Sequence, residues 1–545
     1  MCTTSSSRRK RPTTVSSPEP VAGDAPSLPD ERVLVLDFGS QYTELIARRV
    51  RELGVYAAVF PWDASAEEIR AFAPRAVILS GGPSSVCEAG SPRAPEAVFA
   101  LGVPVLGICY GMQLLAVQLG GTVEPGTPRE FGYAEAFLTA EDPLLAPAAE
   151  TLPDGRRGLH VWMSHGDRVD RLPPGFRPLL TSSGAPVAAM ADPARRYYGL
   201  QFHPEVRHTP RGPEILTAFL TLSGLGRSWT PEAILERLTR DLGVRLAEGG
   251  RVLLALSGGV DSTVSAALLR RVVGARLVPV FVDTGLLRAG EREEVEALFG
   301  ADGLRVVDAG ARFLEALRGV EDPETKRKII GRLFIDVFAE EARAIQGVGW
   351  FAQGTIYPDV IESARTRPGN AKAVIKSHHN VGGLPDVLPF PLVEPLRELF
   401  KDEVRALGAL LGIPPALLGR HPFPGPGLAV RVLGEVTPEA LAIVRAADRI
   451  FLEELRRAGW YERVAQAFAV YLPVRSVAVM GDARRHDPVV ALRAVETEDF
   501  MTARAAELPP DLLVRCARRI TNEVPGLSRV VYDCTSKPPA TIEWE

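Results

Sequence analysis

From residue 32 onward, short apolar runs alternate with longer stretches in which apolar side chains recur every three or four positions. The runs at 33–37, 76–80 and 103–108 predict β-strands, and the stretches at 42–53 and 112–119 predict helices. Strands that alternate with helices favour a mostly parallel sheet covered by helices. The first part of the chain is therefore predicted to be an α/β domain.

The same alternation returns after a segment without clear periodicity at 222–229, which leads into a Thr-Pro pair typical of a helix start. Strands predicted at 252–256 and 277–283 flank a helix at 263–271. A cluster of prolines and glycines at 421–427 cannot continue a helix or a central strand. We therefore predict a second α/β unit between these two boundaries.

The last part of the chain has a different pattern, with a helix predicted at 438–458 and strand-like segments at 476–480, 489–495 and 529–533. The predicted fold class is α/β, with two successive parallel-sheet α/β domains followed by a small α+β domain. The predicted boundaries are 1–29 for a tail, then 30–226, 227–420 and 421–545 for the three units.

Charge and composition narrow the possible partners. A formal charge of −4 over 545 residues gives no general attraction to nucleic acid or anionic membranes, so neither is expected to bind. Residues 1–29 are rich in Ser, Thr, Arg and Pro without the apolar core of a signal peptide, which predicts a disordered tail. Five cysteines without C-x-x-C spacing argue against a zinc site or a disulfide framework and favour a reducing, cytoplasmic location.

The most informative stretch follows the strand at 252–256 and consists of Ser257, Gly258, Gly259, Val260, Asp261 and Ser262. Two glycines let backbone N–H groups approach a phosphate, two serines add hydroxyl donors, and the following helix N-terminus adds positive potential. The stretch lacks the Lys of the Walker A pattern, whereas Asp261 can hold Mg²⁺ on a departing pyrophosphate. It therefore predicts cleavage of ATP to AMP and pyrophosphate.

A cysteine on a tight turn marks the first unit. Cys109 lies between two glycines where a predicted strand meets a predicted helix, which favours the thiolate. A later predicted strand is followed by His203, which can act as a base for the thiol, and by Glu205, whose carboxylate can orient the imidazole. The backbone N–H groups of Gly82, after another predicted strand end, and of Tyr110 are predicted to form an oxyanion hole. Together these residues suit acyl transfer through a thioester.

With these residues, the first unit resembles the class I glutamine amidotransferase domain, which hydrolyses glutamine to release ammonia. The resemblance implies that Cys109 is the nucleophile, His203 the general base and Glu205 its partner. It also makes Gln113 and a turn at 164–167 candidates for recognising glutamine. The loop at 257–262 resembles that of the N-type ATP pyrophosphatases, which implies a fold like that of the adenine-nucleotide α-hydrolases.

Further stretches narrow the resemblance to the family of glutamine-hydrolysing GMP synthases. They are FVDTG at 281–285, DPETKRKIIG at 322–331, QGTIYPDV at 353–360, KSHHN at 376–380 and SKPPATIEWE at 536–545. The resemblance covers residues 32–545. It implies that xanthosine 5′-monophosphate (XMP) attacks the α-phosphate of ATP, and that ammonia then displaces AMP from the adenylated intermediate to give GMP.

The same resemblance nominates contacts and partners. It implies that Lys376 joins the ATP loop to hold pyrophosphate, and that XMP is bound by Arg327, Asp482, Lys537, Ile542 and Glu543. One departure concerns Met480, since family members commonly have Gln at that position. The resemblance further implies Mg²⁺ bound with ATP, the small-molecule substrates glutamine, ATP and XMP, and a homodimer formed through the third unit.

Three other interpretations compete with this one. A two-part amidotransferase of the NAD or asparagine synthetase type is disfavoured by the segments at 422–427 and 537–545. A regulatory protein that only binds ATP and XMP would have no physical need for Cys109, His203 and Glu205. An ATP pyrophosphatase that modifies tRNA is disfavoured by the acidic charge and by the lack of a recognisable RNA-binding module.

Overall fold

A computed structural model describes residues 28–365, 390–480, 483–497, 500 and 502–545. Lys376, Asp482 and all but the last two residues of the predicted tail lie outside these described residues. Within the described ranges, no helix is long and apolar enough to cross a membrane.

The first unit contains a sheet that has ten strands among the described residues. Its strands are β1 (Arg32–Asp37), β2 (Tyr56–Pro61), β3 (Ala76–Leu79), β4 (Val105–Ile108), β5 (Thr122–Leu138), β6 (Glu150–Thr151), β7 (Arg157–Arg171), β8 (Arg177–Thr181), β9 (Ala189–Asp192) and β10 (Tyr197–Leu200). Its helices are α1 (Thr43–Glu52), α2 (Ala66–Phe72), α3 (Glu96–Ala100), α4 (Tyr110–Gln118) and α5 (Gly212–Leu222). The strand order is β2-β1-β3-β4-β10-β9-β8-β5-β7-β6.

Half of this sheet matches the predicted parallel arrangement. The pairs from β2 through β1, β3 and β4 to β10 are parallel, and the pairs from β10 to β6 are antiparallel. The predicted turn at 164–167 is wrong, because these residues lie inside β7, where His165 pairs with Glu130 of β5. The polar run Ser-His-Gly-Asp has the composition of a turn, but its backbone hydrogen bonds are made in the sheet.

The sheet of the second unit is parallel, as predicted. Within the described residues it has five strands in the order β13-β12-β11-β14-β15. Its strands are β11 (Arg251–Leu256), β12 (Leu277–Asp283), β13 (Arg305–Asp308), β14 (Val348–Ala352) and β15 (Leu392–Val393). Its helices are α6 (Pro231–Arg245), α7 (Val260–Val273), α8 (Glu291–Phe299), α9 (Gly310–Ala316), α10 (Pro323–Ala344), α11 (Tyr357–Arg365), α12 (Lys401–Leu410) and α13 (Pro415–Leu418). Two 3₁₀ turns, Gly274–Arg276 and Gly300–Asp302, connect them.

The third unit is α+β, as predicted. A 3₁₀ turn (Gly427–Arg431) precedes α14 (Pro438–Arg457), β16 (Gln466–Met480), β17 (Ala483–Glu496), β18 (Arg504–Ala505), α15 (Pro510–Glu523) and β19 (Arg529–Tyr532). The strand β17 pairs antiparallel with β16 and β18 and parallel with β19. The apolar face of α14 is buried in a cluster that also contains residues of the second unit.

The first and second units meet around Arg51 of α1, which is buried. Its guanidinium donates to Oε2 of Glu403 at 3.0 Å and to the backbone oxygen of Glu398. Four ring centroids lie 4.6–5.5 Å from the guanidinium carbon, those of Tyr56, Trp229, Tyr357 and Phe400. Desolvated cation–π contacts of this kind join the two units through one side chain.

Candidate active sites

Cys109 lies on a sharp turn between β4 and α4. Its backbone has φ +53°, a left-handed conformation that a non-glycine residue adopts only when the surrounding structure holds it there. A Cβ at Gly107 would lie 2.5 Å from the oxygen of Gly111, and one at Gly111 would lie 2.2 Å from the oxygen of Leu79. The two glycines beside the cysteine are therefore required by close backbone packing.

His203 and Glu205 follow the end of β10, which is parallel to β4. Nδ1 of His203 lies 2.7 Å from Oε1 of Glu205, and both side chains are buried. Burial lowers the pKa of His203, but the charge of Glu205 and hydrogen bonds with Cys109 and Glu205 outweigh it and raise the pKa well above its ordinary value. The structure thus brings the three predicted catalytic residues together.

Other groups surround the thiol. The backbone oxygen of Ser164 lies 3.5 Å from Sγ of Cys109, and Nε2 of Gln201 lies 3.9 Å from it. A Cβ at Gly82 would lie 3.3 Å from Cγ of Tyr110, so the two residues predicted for the oxyanion hole are packed against each other. Tyr110 is the first residue of α4, where a backbone N–H has no acceptor within the helix.

Gln113 is buried one turn into α4, and its Nε2 donates to the backbone oxygen of Asp167 at 2.8 Å. The same nitrogen lies 3.4 Å from Oε1 of Gln201. Gln113 therefore fixes β7 next to the thiol. Gln201 is not recognisable as a site residue from the sequence, because its local pattern is the same as that of any residue at the end of a strand.

The loop at 257–262 directly follows β11, as predicted, but its last three residues form the first turn of α7, which begins three residues before the predicted helix start at 263. Gly258 has φ +77°, the hydroxyl oxygens of Ser257 and Ser262 lie 3.0 Å apart, and the Ser262 hydroxyl donates to the oxygen of Gly259 at 3.1 Å. A Cβ at Gly354 would lie 3.0 Å from the nitrogen of Ser262. The stretch at 353–360 thus packs directly against the loop.

Asp261 projects from the first turn of α7 and is one-quarter exposed. Both of its carboxylate oxygens lie 2.7 Å from Nζ of Lys401, the first residue of α12. Among the described residues, no three His, Cys, Asp or Glu side chains are grouped to hold a metal ion. A Mg²⁺ site that uses one carboxylate and phosphate oxygens fits this loop, since Mg²⁺ commonly binds nucleotides in that way.

The described residues of the predicted XMP set lie in or against the segment 533–545. Arg327 donates to the main-chain oxygen of Glu545 at 2.7 Å, and Lys537 donates to the oxygen of Phe500 at 2.7 Å. Ile542 is buried in a small apolar cluster. The carboxylate of Glu543 accepts from Nη2 of Arg431 at 2.9 Å and from Gln466 at 2.6 Å.

Two buried arginines that sequence analysis missed hold this segment. Arg493 is fully buried and donates to Asp533 at 2.6 Å and to the backbone oxygens of Thr541 and Ile542 at 2.8 Å each. Arg431, also fully buried, forms the pair with Glu543. Arginine in a strand or turn is ordinarily exposed, so only the folded structure shows these roles.

Comparisons with known proteins agree with this geometry. Residues 34–222 match the family model described as glutamine amidotransferase class-I, and residues 453–544 match that described as GMP synthase C terminal domain. A GMP synthase (glutamine-hydrolyzing) of Acinetobacter baylyi is 60% identical over 520 residues, covering 95% of this chain and 94% of that protein. Proteins with the same name from Pasteurella multocida and Haemophilus ducreyi are 58% and 57% identical, covering 95% of this chain and 99% of theirs.

Proposed function

The chain belongs to the family of glutamine-hydrolysing GMP synthases, and we propose that it aminates XMP to GMP with ammonia released from glutamine. ATP is cleaved to AMP and pyrophosphate, and AMP leaves an adenylated XMP when ammonia attacks. The observation that carries this proposal is 60% identity over 520 residues to a GMP synthase. The contacts of His203 with Glu205 and of Ser257 with Ser262 support it. The protein is accordingly a carbon–nitrogen ligase of purine biosynthesis.

We assign glutamine hydrolysis to residues 30–226. Cys109 attacks the amide carbon, His203 transfers the thiol proton to the departing ammonia, and Glu205 keeps the imidazole oriented. The N–H groups of Gly82 and Tyr110 stabilise the oxyanion, and water then hydrolyses the thioester to glutamate. The hydrogen bonds of His203 with Glu205 and Cys109 support these roles.

We assign ATP cleavage to residues 227–420. The loop at 257–262 binds the departing pyrophosphate through backbone N–H groups and hydroxyls, together with Lys376. Asp261 would hold Mg²⁺, which neutralises charge on the pyrophosphate when bound. Lys401, which is paired with Asp261, would be a further cation near the phosphates, in addition to Mg²⁺ and Lys376.

We assign XMP binding to residues 421–545 together with Arg327 of α10. Arg327 and Lys537 carry the positive charge that a nucleotide phosphate requires, and Asp482 and Glu543 carry the carboxylates that meet hydroxyl or ring N–H groups. Ile542 supplies an apolar contact. Contacts of Arg327 with Glu545 and of Arg493 with Ile542 bring α10 and the third unit to this segment.

The third unit is also the proposed dimer interface. Val474, Val477 and Val479 of β16 are 65%, 50% and 74% exposed, and Val531 of β19 is 42% exposed. Exposed apolar side chains grouped on one small sheet are typical of an interaction surface.

Light scattering at micromolar concentration is expected to give twice the chain mass for the unaltered protein and the mass of a single chain for Val479→Lys. A mass equal to that of one chain for the unaltered protein would contradict the proposed dimer.

The test of the main proposal is GMP formation from XMP and Mg-ATP, with glutamine or ammonium as nitrogen donor. Cys109→Ala is expected to lose glutamine-dependent synthesis and to retain ammonium-dependent synthesis, since the ATP and XMP residues are unchanged. An unaltered protein that makes no GMP with either donor would contradict the assigned acceptor. A variant that loses both activities would contradict the division of labour between the units.

A further inference from the structure

Glu130 of β5 is nine-tenths buried, and its carboxylate has four hydrogen-bond partners. The hydroxyls of Ser182 and Ser183 donate to it at 2.8 Å and 3.1 Å, and the N–H of Gly184 donates at 2.8 Å. Nε2 of His165 lies 3.2 Å away. Burial raises the pKa of Glu130, but these hydrogen bonds and the nearby His165 outweigh it and lower the pKa, so the group is ionised.

A short chain of contacts connects the Glu130 carboxylate to Cys109, the proposed nucleophile. His165 follows Ser164, whose backbone oxygen faces the Cys109 thiol. Nδ1 of His165 lies 3.0 Å from the oxygen of Asp167, the same oxygen that accepts from Gln113. The segment 164–167 is therefore held on one side by Glu130 and on the other by α4, which begins immediately after the cysteine.

Close packing supports a specific role for this side chain. A Cβ at Gly184 would lie 2.5 Å from Cγ of Glu130, so the turn at 182–184 packs directly against the side chain of Glu130. An anion buried with full hydrogen bonding specifies one arrangement of its neighbours, because any other arrangement leaves a buried charge without partners.

We propose that Glu130 is a positioning residue of the glutaminase, which sets the segment 164–167 and the turn at 182–184 so that glutamine is held in reach of Cys109. This inference rests on the proposed glutaminase function of the first unit. Glu130 acts through His165 and Asp167. A displacement of about 1 Å at a reacting centre costs about 100-fold in rate, so loss of the carboxylate has a measurable effect.

The test is Glu130→Gln, with glutamine hydrolysis, ammonium-dependent GMP synthesis and alkylation of Cys109 by iodoacetamide measured on the full chain. We expect kcat/KM for glutamine to fall about 100-fold, mainly through KM, because substrate positioning is lost. Ammonium-dependent synthesis and alkylation are expected to stay within about twofold, because the ATP site and the His203–Glu205 pair are unchanged. A merely structural role would instead reduce alkylation and glutamine turnover together, and that result would overturn the proposal.

Glu124→Gln is the matched control. Glu124 lies on the same strand, pairs with Arg168 of β7 at 2.7 Å and is 43% exposed, so its loss is expected to leave all three activities unchanged. If Glu130→Gln does not fold, Ser182→Ala removes one of the donors and is expected to raise KM for glutamine about threefold, the cost of one hydrogen bond. An unchanged KM in Ser182→Ala would overturn the proposal. Absence of GMP from the unaltered protein with both donors would contradict the proposed function, while Glu130 can still be tested by glutamate release.

Discussion

The proposed glutaminase site contains a histidine, His203, that is buried and nevertheless has a raised pKa. Removing the carboxylate in Glu205→Gln eliminates the largest favourable contribution to the raised pKa of His203, and burial then lowers that pKa. Less imidazolium faces Cys109, so we expect alkylation by iodoacetamide to slow about tenfold at neutral pH. The measurement is the rate of alkylation as a function of pH. Glu214→Gln is the control: Glu214 of α5 is 35% exposed and pairs with Arg211, and its loss is expected to leave the profile unchanged.

The same pair predicts how stability depends on pH. Because the pKa of His203 is higher in the folded protein than in the unfolded chain, its protonation stabilises the fold. That contribution is complete below about pH 6.5, the unfolded value, and is lost as the pH rises through the folded pKa. The loss of stability caused by Glu205→Gln should therefore be largest in acid and should shrink as the pH rises. A destabilisation that grows with pH would contradict this sign.

At the scale of elements, the turn between β4 and α4 has no room for another carbon atom. A Cβ at Gly111 would meet the oxygen of Leu79 at 2.2 Å, so Gly111→Ala must displace β3 or α4. We expect a loss of about 3 kcal/mol in the free energy of unfolding, measured in urea, together with loss of glutamine-dependent activity. Gly243→Ala is the control, because a Cβ there meets nothing within 4 Å and α6 should gain about 0.5–1 kcal/mol.

Elements defined by local signals were predicted well from the sequence, and those defined by distant partners were not. The elbow at Cys109 and the loop at 257–262 follow from glycines between a strand and a helix, which is local information. The strands β5 and β7 pair with each other over long stretches. Polar residues inside β7 interrupt the alternation of apolar and polar positions by which a strand is recognised in a sequence. Lys401 has no local signal at all, since its partner Asp261 lies 140 residues away in the sequence.

The C-terminal segment provides a second prediction at this scale. Arg493→Met removes the buried donors that hold Asp533, Thr541 and Ile542, and leaves the Asp533 carboxylate without its ion pair. We expect this segment to lose protection from hydrogen exchange and KM for XMP to rise at least about tenfold, with glutamine hydrolysis unchanged. Arg504→Met is the control, because the Arg504 side chain, which pairs with Glu496, is 76% exposed. It should change neither the hydrogen-exchange protection of the segment nor KM for XMP. Equal KM values for XMP in both variants would contradict the role of Arg493.

At the scale of the whole molecule, two short helices connect the two proposed reaction centres. Helix α1 begins beside Tyr42, whose ring packs edge-on against His203, and its Arg49 donates to the backbone oxygen of Glu205 at 3.1 Å. The same helix carries Arg51, which pairs with Glu403 of α12. The first residue of α12 is Lys401, which holds Asp261 of the ATP loop. A change at the ATP loop can therefore reach the triad through two packed helices.

This arrangement predicts that Arg51→Met weakens coupling without damaging either site. We expect Mg-ATP and XMP together to stimulate glutamine hydrolysis by the unaltered protein. Coupling between distant sites is typically worth 5- to 150-fold, so Arg51→Met is expected to lower this stimulation about tenfold. Ammonium-dependent GMP synthesis should stay within about twofold, and more than one glutamate should form for each GMP. Arg48→Met tests the specificity of the effect, because Arg48 lies on the same helix and pairs with Asp402 at 3.3 Å but is 35% exposed. If both variants lower stimulation equally, general loosening of the interface explains the result; if neither does, coupling does not pass through this contact.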